Sequence, residues 1–261
     1  MWQELQNLSV LRHSLRIDLN ADIGEGAGHD AELMPFITSA NVACGAHAGD
    51  PQLMRTTVGL ARAHGVAVGA HPSFPDREGF GRRDLGLSPD EVERFTAAQV
   101  GALAEVAAGE GVRLQHVKPH GALFNVAARD RSIADAVARA TASIDPALIL
   151  FGLPGSALIA AADATGLRSA REAFADRAYR ADGSLVPRTD PGAVIVDPDQ
   201  VVARVVEIAI ARTVVAVDGT CVALEVDTIC VHGDTPGAAD LAARIHAALR
   251  ARGVAIAAVG A

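Results

Sequence analysis

The chain has 261 residues, half of them hydrophobic, which is enough to bury the core of one α/β domain. A formal net charge of -8, no basic stripe and only 3% aromatic residues argue against nucleic acid as a partner, since neither an electrostatic footprint nor a row of stacking rings is present. Three cysteines without CxxC spacing speak for a reducing compartment, no apolar run approaches the roughly 20 residues of a membrane span, and the start lacks the apolar region of a signal peptide; the expectation is a cytoplasmic protein with no membrane partner.

In chain order, residues 1–16 show no firm pattern and read as an N-terminal extension to one domain over 17–261. Ile17 to Glu25 then alternates strictly, with Ile17, Leu19, Ala21 and Ile23 on one side and Asp18, Asn20 and Asp22 on the other, the period of a β-strand. Short acids and an amide in a row are costly to bury unless paired or bound, so this strand either faces water or lines a polar site. The loop from Gly24 to Gly28 is glycine-rich but does not have GxGxxG spacing, and no GxxxxGK[ST] occurs. Ile37 to Cys44 reads as a strand. A helix follows from Pro51 to about Ala63, capped by Asp50 with proline at its first position. Val66 to Ala70 is the next strand, ending at His71. After a long loop from Ser73 to Leu87, the pattern Ser88-Pro89-Asp90-Glu91 opens a helix to about Glu110 as a capping box. Leu114 to Val117 is a strand ending at Lys118-Pro119-His120-Gly121. A helix over about Asp130 to Thr141, an apolar strand over Ala147 to Leu153, a helix over Gly155 to Thr165 and a strand over Leu167 to Phe174 continue the alternation. Beyond the polar loop Ala175 to Gly192 come a helix from Pro198 to Ile210, a hairpin pivoting on Asp218-Gly219, a strand from Thr228 to Val231, and a last helix from Pro236 to Arg252.

Strand and helix alternating about seven times imply a parallel sheet covered by helices, either closed as a barrel or open and doubly wound. Asp22, His47, His71, Lys118, His120, Glu172, His232 and Asp234 all fall at or just past the carboxyl end of an expected strand, the end that carries the active site in both architectures. Of 23 basic residues only Lys118 is a lysine, which suggests that a guanidinium would not serve there. Such a set could hold a divalent metal with an open position for water, or act as a metal-free acid–base site with Lys118 stabilising an oxyanion. Asn20 and Asn41, together with Arg82, Arg83 and Arg177, are candidates for holding substrate or an anionic group; Asp176 is expected to position Arg177. Cys44 and Cys230 read as small buried hydrophobes, and His116 as a residue without a special role.

The blocks DLNADIGE, SANVACGAHAGD, GAHPSFPDREGFGRRD, VKPHGALFN, EAFADRAYRADGSLVPR and TICVHGD closely resemble the LamB/YcsF family over residues 16–255. That resemblance implies a seven-stranded parallel β/α barrel of the glycoside hydrolase and deacetylase type. It also implies a role as the A subunit of an ATP-dependent 5-oxoprolinase, working with B and C subunits to convert 5-oxoproline to glutamate. By remote analogy with the wider superfamily, a metal would lie on Asp22, His71 and His120. On this view Asp22 or a histidine is the general base, Lys118 and His120 steady an oxyanion or phosphate, and Arg82 or Arg83 meets an anionic group. Two alternatives stand beside it: a metal-dependent carbohydrate hydrolase or deacetylase, and a scaffold that binds ligand without catalysis.

Overall fold

A computed structural model of the chain describes residues 15–232 and 237–261. The extension expected over 1–16 lies outside them except for its last two residues, and Arg16 already belongs to the first strand. In order, β1 (Arg16–Ile23) leads to a short helix α1 (Asp30–Leu33), a 3-10 turn, and β2 (Ser39–Ala43). Then come α2 (Pro51–His64), β3 (Ala67–His71), α3 (Pro89–Gly109), β4 (Leu114–Val117), α4 (Gly121–Arg129), α5 (Arg131–Ile144) and β5 (Ile149–Gly152). The remainder is α6 (Ala157–Thr165), β6 (Arg168–Phe174), α7 (Pro198–Ala211), a hairpin of β7 (Thr213–Val215) and β8 (Cys221–Ala223), β9 (Thr228–His232), α8 (Ala238–Ala251) and β10 (Ala255–Ile256).

The choice between barrel and open sheet is decided by β9. It pairs in parallel with β6, and on its other edge with β1, where Asp18 lies beside Thr228 and Asp22 beside His232. The ring β1-β2-β3-β4-β5-β6-β9 is therefore a closed, seven-stranded parallel barrel with helices outside it. Strand β10 adds to the lower end of β1, Arg16 beside Ala255.

Closure gives each face of β1 its environment. Ile17, Leu19, Ala21 and Ile23 are buried in the layer between strands and helices, each large side chain contributing about 1.5–3 kcal/mol by leaving water. Asp18, Asn20 and Asp22 point into the barrel, where hydrogen bonds compensate their burial. Asp18 accepts from the hydroxyls of Thr38, Ser39 and Thr228. Ile149, Phe151 and Ala170 with Val259 form a small apolar cluster, and Phe151 stacks on His116 at 4.3 Å. Gly69 on β3 makes room for that imidazole, because a Cβ there would sit 2.1 Å from its ring atoms.

The helices start where the sequence signals them. Asp50 accepts from the amides of Gln52 and Leu53, and Ser88 and Glu91 exchange the two bonds of a capping box. Helix α4, directly after His120, has no counterpart among the expected elements, and the strands of the expected hairpin are three residues each. No helix of the described residues is long and apolar enough to cross a membrane.

Candidate active site

Lys118 leaves the end of β4 and turns into the barrel, 2% exposed. Its Nζ lies 2.8 Å from Asp22 Oδ1, 3.0 Å from Glu172 Oε1, 3.0 Å from Cys230 Sγ and 3.3 Å from Asn20 Oδ1. Burial opposes its charge, but Asp22 above all, with Glu172, outweighs that, and the ammonium pKa stands well above its ordinary value. Asp22 is likewise opposed by burial, yet His71 and Lys118 hold its carboxyl well below the ordinary value. Burial raises the carboxyl of Glu172, and one of its oxygens has no hydrogen-bond partner among the described residues. The net arrangement is one firmly charged ammonium matched to Asp22, with a second carboxyl below that resists ionisation.

The amides fix this network in place. Asn41 donates to Asn20 Oδ1 (2.7 Å) and to Asp22 Oδ1 (2.8 Å), while Asn20 donates to Glu172 (3.0 Å) and to Thr228 (2.7 Å). His116 Nε2 donates to Asn41 Oδ1 at 2.8 Å. Burial first, then Lys118, pushes the His116 imidazole down to about 3, so it is a neutral support at neutral pH. Nothing in the sequence marks this role, because His116 is there one strand residue among apolar neighbours.

Beside the lysine sit three imidazoles. His71 donates from Nδ1 to the Lys118 carbonyl at 2.7 Å, and His120 from Nε2 to the Phe80 carbonyl at 2.9 Å. His47 stacks on His120 with 3.9 Å between ring centroids and meets Glu25 through Nε2 at 3.2 Å. Burial lowers the pKa of both His47 and His120. Glu25, His47, His71 and His120 present four ligand atoms within 4.8 Å of one another, a set able to hold a metal ion. Glu25 stands in the sequence only as part of a flexible loop. Gly24 and Gly26, at φ 71 and 86, turn that loop so that the carboxylate faces the histidines. Asp22, expected with His71 and His120 as a ligand, has its Oδ2 3.4 Å from His71 Nε2, and groups by distance with Cys230 and His232 instead.

His232, at the end of β9, holds Asp176 Oδ1 through Nδ1 at 2.7 Å and meets Arg188 through Nε2, also at 2.7 Å. Asp176 thus orients His232 and not Arg177. Alternation along the chain sends neighbouring side chains apart, and the Arg177 guanidinium donates to the Val186 and Ala193 carbonyls. Above this floor opens a cavity of about 790 Å³ bordered by Asp22, Glu25, His71, Lys118, His120 and His232, with Arg82, Arg129, Arg177, Arg180 and Arg188 on its walls.

Of the residues singled out in the sequence, Asp22, His71, Lys118, His120, His232, Arg82 and Arg177 thus come together at one cavity. His47, Glu172, Asn20 and Asn41 are packed directly behind or beneath it. Arg83 is turned away: it pairs with Asp76, holding the carboxylate at a pKa of about 2, and lies on the outside of its loop. Asp234 lies outside the described residues. Cys44 is buried, which pushes its thiol up to about 12, and burial likewise raises Cys230; neither behaves as a ready nucleophile.

The model of the LamB/YcsF family matches residues 17–261. A protein of Geobacillus thermodenitrificans, named as the A subunit of 5-oxoprolinase, is 54% identical over 244 residues, covering 92% of this chain and 95% of that one. The crystal structure of a lactam utilization protein from Thermus thermophilus is 47% identical, covers 93% of this chain and 99% of that one, and superposes with a TM-score of 0.88. A deacetylase, T48, solved with substrate, shares the fold at 13% identity and a TM-score of 0.50, with 93% of this chain and 87% of that one covered.

Proposed function

The chain belongs to the LamB/YcsF family, and on that premise we propose that it is the A subunit of an ATP-dependent 5-oxoprolinase. In this reading it opens the lactam ring of 5-oxoproline to glutamate together with B and C subunits. The geometric observation that carries the reading is the charged, buried amine of Lys118 at the floor of an arginine-walled cavity, beside a histidine oriented by a carboxylate.

A five-membered lactam resists water near neutrality, and ATP can overcome this by phosphorylating the amide oxygen elsewhere in the complex. The present chain then carries the hydrolytic half. Arginines of the wall, Arg82, Arg177 and Arg188 among them, hold the phosphate and carboxylate charges. His232, with its Nδ1 hydrogen on Asp176, can take a proton from the attacking water at Nε2 once Arg188, which donates to that nitrogen at 2.7 Å, turns to the phosphate. The water oxygen bonds to the carbon of the phosphorylated lactam, the C=N π pair moves to the ring nitrogen, and that nitrogen takes the proton His232 removed, while the Lys118 ammonium steadies the oxygens of the tetrahedral intermediate. The new hydroxyl then gives its proton to the nitrogen as the C–N bond breaks, leaving the free amine and a γ-glutamyl phosphate, from which a second water releases inorganic phosphate and glutamate. An ATP co-substrate and three unpaired cysteines favour the cytoplasm as the setting for this work.

The test is glutamate formation from 5-oxoproline by this chain with and without B and C subunits. Activity is expected only in the reconstituted complex, and Lys118→Ala should lower it by about 10²-fold or more. Full turnover by that variant would mean a scaffold role. Release of acetate from an acetylated sugar by the chain alone would favour a carbohydrate deacetylase.

A further inference from the structure

The three imidazoles beside Lys118 have no part in the scheme above, and their hydrogen bonds leave an electrostatic conflict. A neutral imidazole has one N–H and one lone pair. His71 must carry its hydrogen on Nδ1, because its partner there is a carbonyl oxygen that only accepts. His120 must carry its hydrogen on Nε2 for the same reason. With both rings neutral, the remaining nitrogens, His71 Nε2 and His120 Nδ1, face each other lone pair to lone pair at 3.0 Å, so the contact calls for either an added proton or a cation between them. Phe80, whose carbonyl fixes His120, sits in the left-handed region at φ 54, a conformation a bulky side chain adopts only under constraint from its surroundings.

A cation between the two nitrogens removes the conflict, and the surroundings supply the rest of a coordination shell. Glu25 Oε1 lies 3.2 Å from His47 Nε2, 3.6 Å from His120 Nδ1 and 4.0 Å from His71 Nε2. Tetrahedral zinc with bonds of about 2.0–2.1 Å spaces its ligands about 3.3 Å apart; the separations of 3.0, 3.2, 3.6 and 4.0 Å bracket that value, and the His47 ring, stacked parallel on His120, has only to tilt to aim at the same ion. Carbonyls on the far nitrogens of His71 and His120 are the orienting partners that metal-binding histidines generally have. Asp22 is engaged through Oδ1 by Lys118 and Asn41, while its Oδ2 stays 3.4 Å from His71 Nε2 as that ring's neighbour outside the four-atom group.

We propose that Glu25, His47, His71 and His120 bind one divalent first-row metal ion, zinc matching the three-nitrogen, one-oxygen set best. The carboxylate of the glycine loop, absent from the set expected by superfamily analogy, is the ligand that distinguishes this site. The proposal does not depend on the lactam reading, since metal binding is measured without substrate.

The experiment uses the full chain, stripped with chelator and titrated with Zn²⁺ by calorimetry and with Co²⁺ by visible absorption. One ion per chain is expected, with the intense bands of a four-coordinate cobalt site. Glu25→Gln and His47→Ala should each weaken binding by about 10²-fold or more, while His64→Ala, on the surface of α2, leaves it unchanged. Circular dichroism melts identify any variant that has failed to fold, and the wild-type titration stands without them. If the wild-type chain binds no metal, the 3.0 Å contact is a shared proton and the proposal is overturned. Undiminished binding by folded Glu25→Gln also overturns it.

Discussion

His232 illustrates how one side chain is set up by another. With Asp176 on Nδ1, the ring is held in one tautomer and one orientation, and Nε2 is left toward Arg188 and the cavity. Asp176→Ala is expected to lower kcat of the reconstituted complex by about 10²-fold with little change in KM, because the ring is then free to turn; steady-state glutamate formation measures both. Along the sequence Asp176 stands next to Arg177, and only the opposite directions of adjacent side chains assign it to His232 instead. Lys118 is legible because it is the single lysine in a chain that otherwise uses arginine. The pocket formed by Asp22, Glu172, Cys230 and Asn20 explains that choice, since a compact ammonium can meet all four whereas a planar guanidinium cannot. Glu25 is not legible. Its role depends on the path of a loop through two left-handed glycines, which no periodicity announces.

At the level of elements, β3 and β4 show how closely the barrel interior is filled. Gly69→Ala would drive a methyl group into the His116 ring, and is expected to destabilise the protein by about 1–3 kcal/mol, read as a lowered melting temperature. Most strands and helices can be placed from the sequence because local signals decide them: alternation in β1, Asp50 with proline before α2, the capping box before α3. Helix α4 escapes notice because its nine residues begin at a glycine with φ 56, with no side-chain cap to mark the start. Closure of the ring is also beyond local reasoning, because β1 and β9 meet across 210 residues, as in the bond from Thr228 to Asp18.

For the molecule as a whole, the seam where β6 and β9 join is clamped by Arg171, which donates to Asp227 through its amide (2.9 Å), Nε (2.9 Å) and a terminal nitrogen (3.0 Å). Burial disfavours the charge on Asp227, but these bonds outweigh it and hold the carboxyl below its ordinary value of 3.8. A carboxylate whose pKa is lowered by folding stabilises fully above its unfolded value and loses that contribution as pH falls through the folded one. Urea denaturation should therefore show Asp227→Asn less stable than wild type at pH 7, with the gap shrinking steadily once the pH drops below about 4. Far from the cavity, β10 lies along the first residues of β1, and Arg16 donates to the carbonyls of Ala258 and Ala261. The last residue of the chain is thereby anchored on the underside of the barrel. A biotin or fluorophore joined through a linker to Ala261 will leave the opening clear, so the protein can be tethered to a sensor surface with its entrance facing the solution.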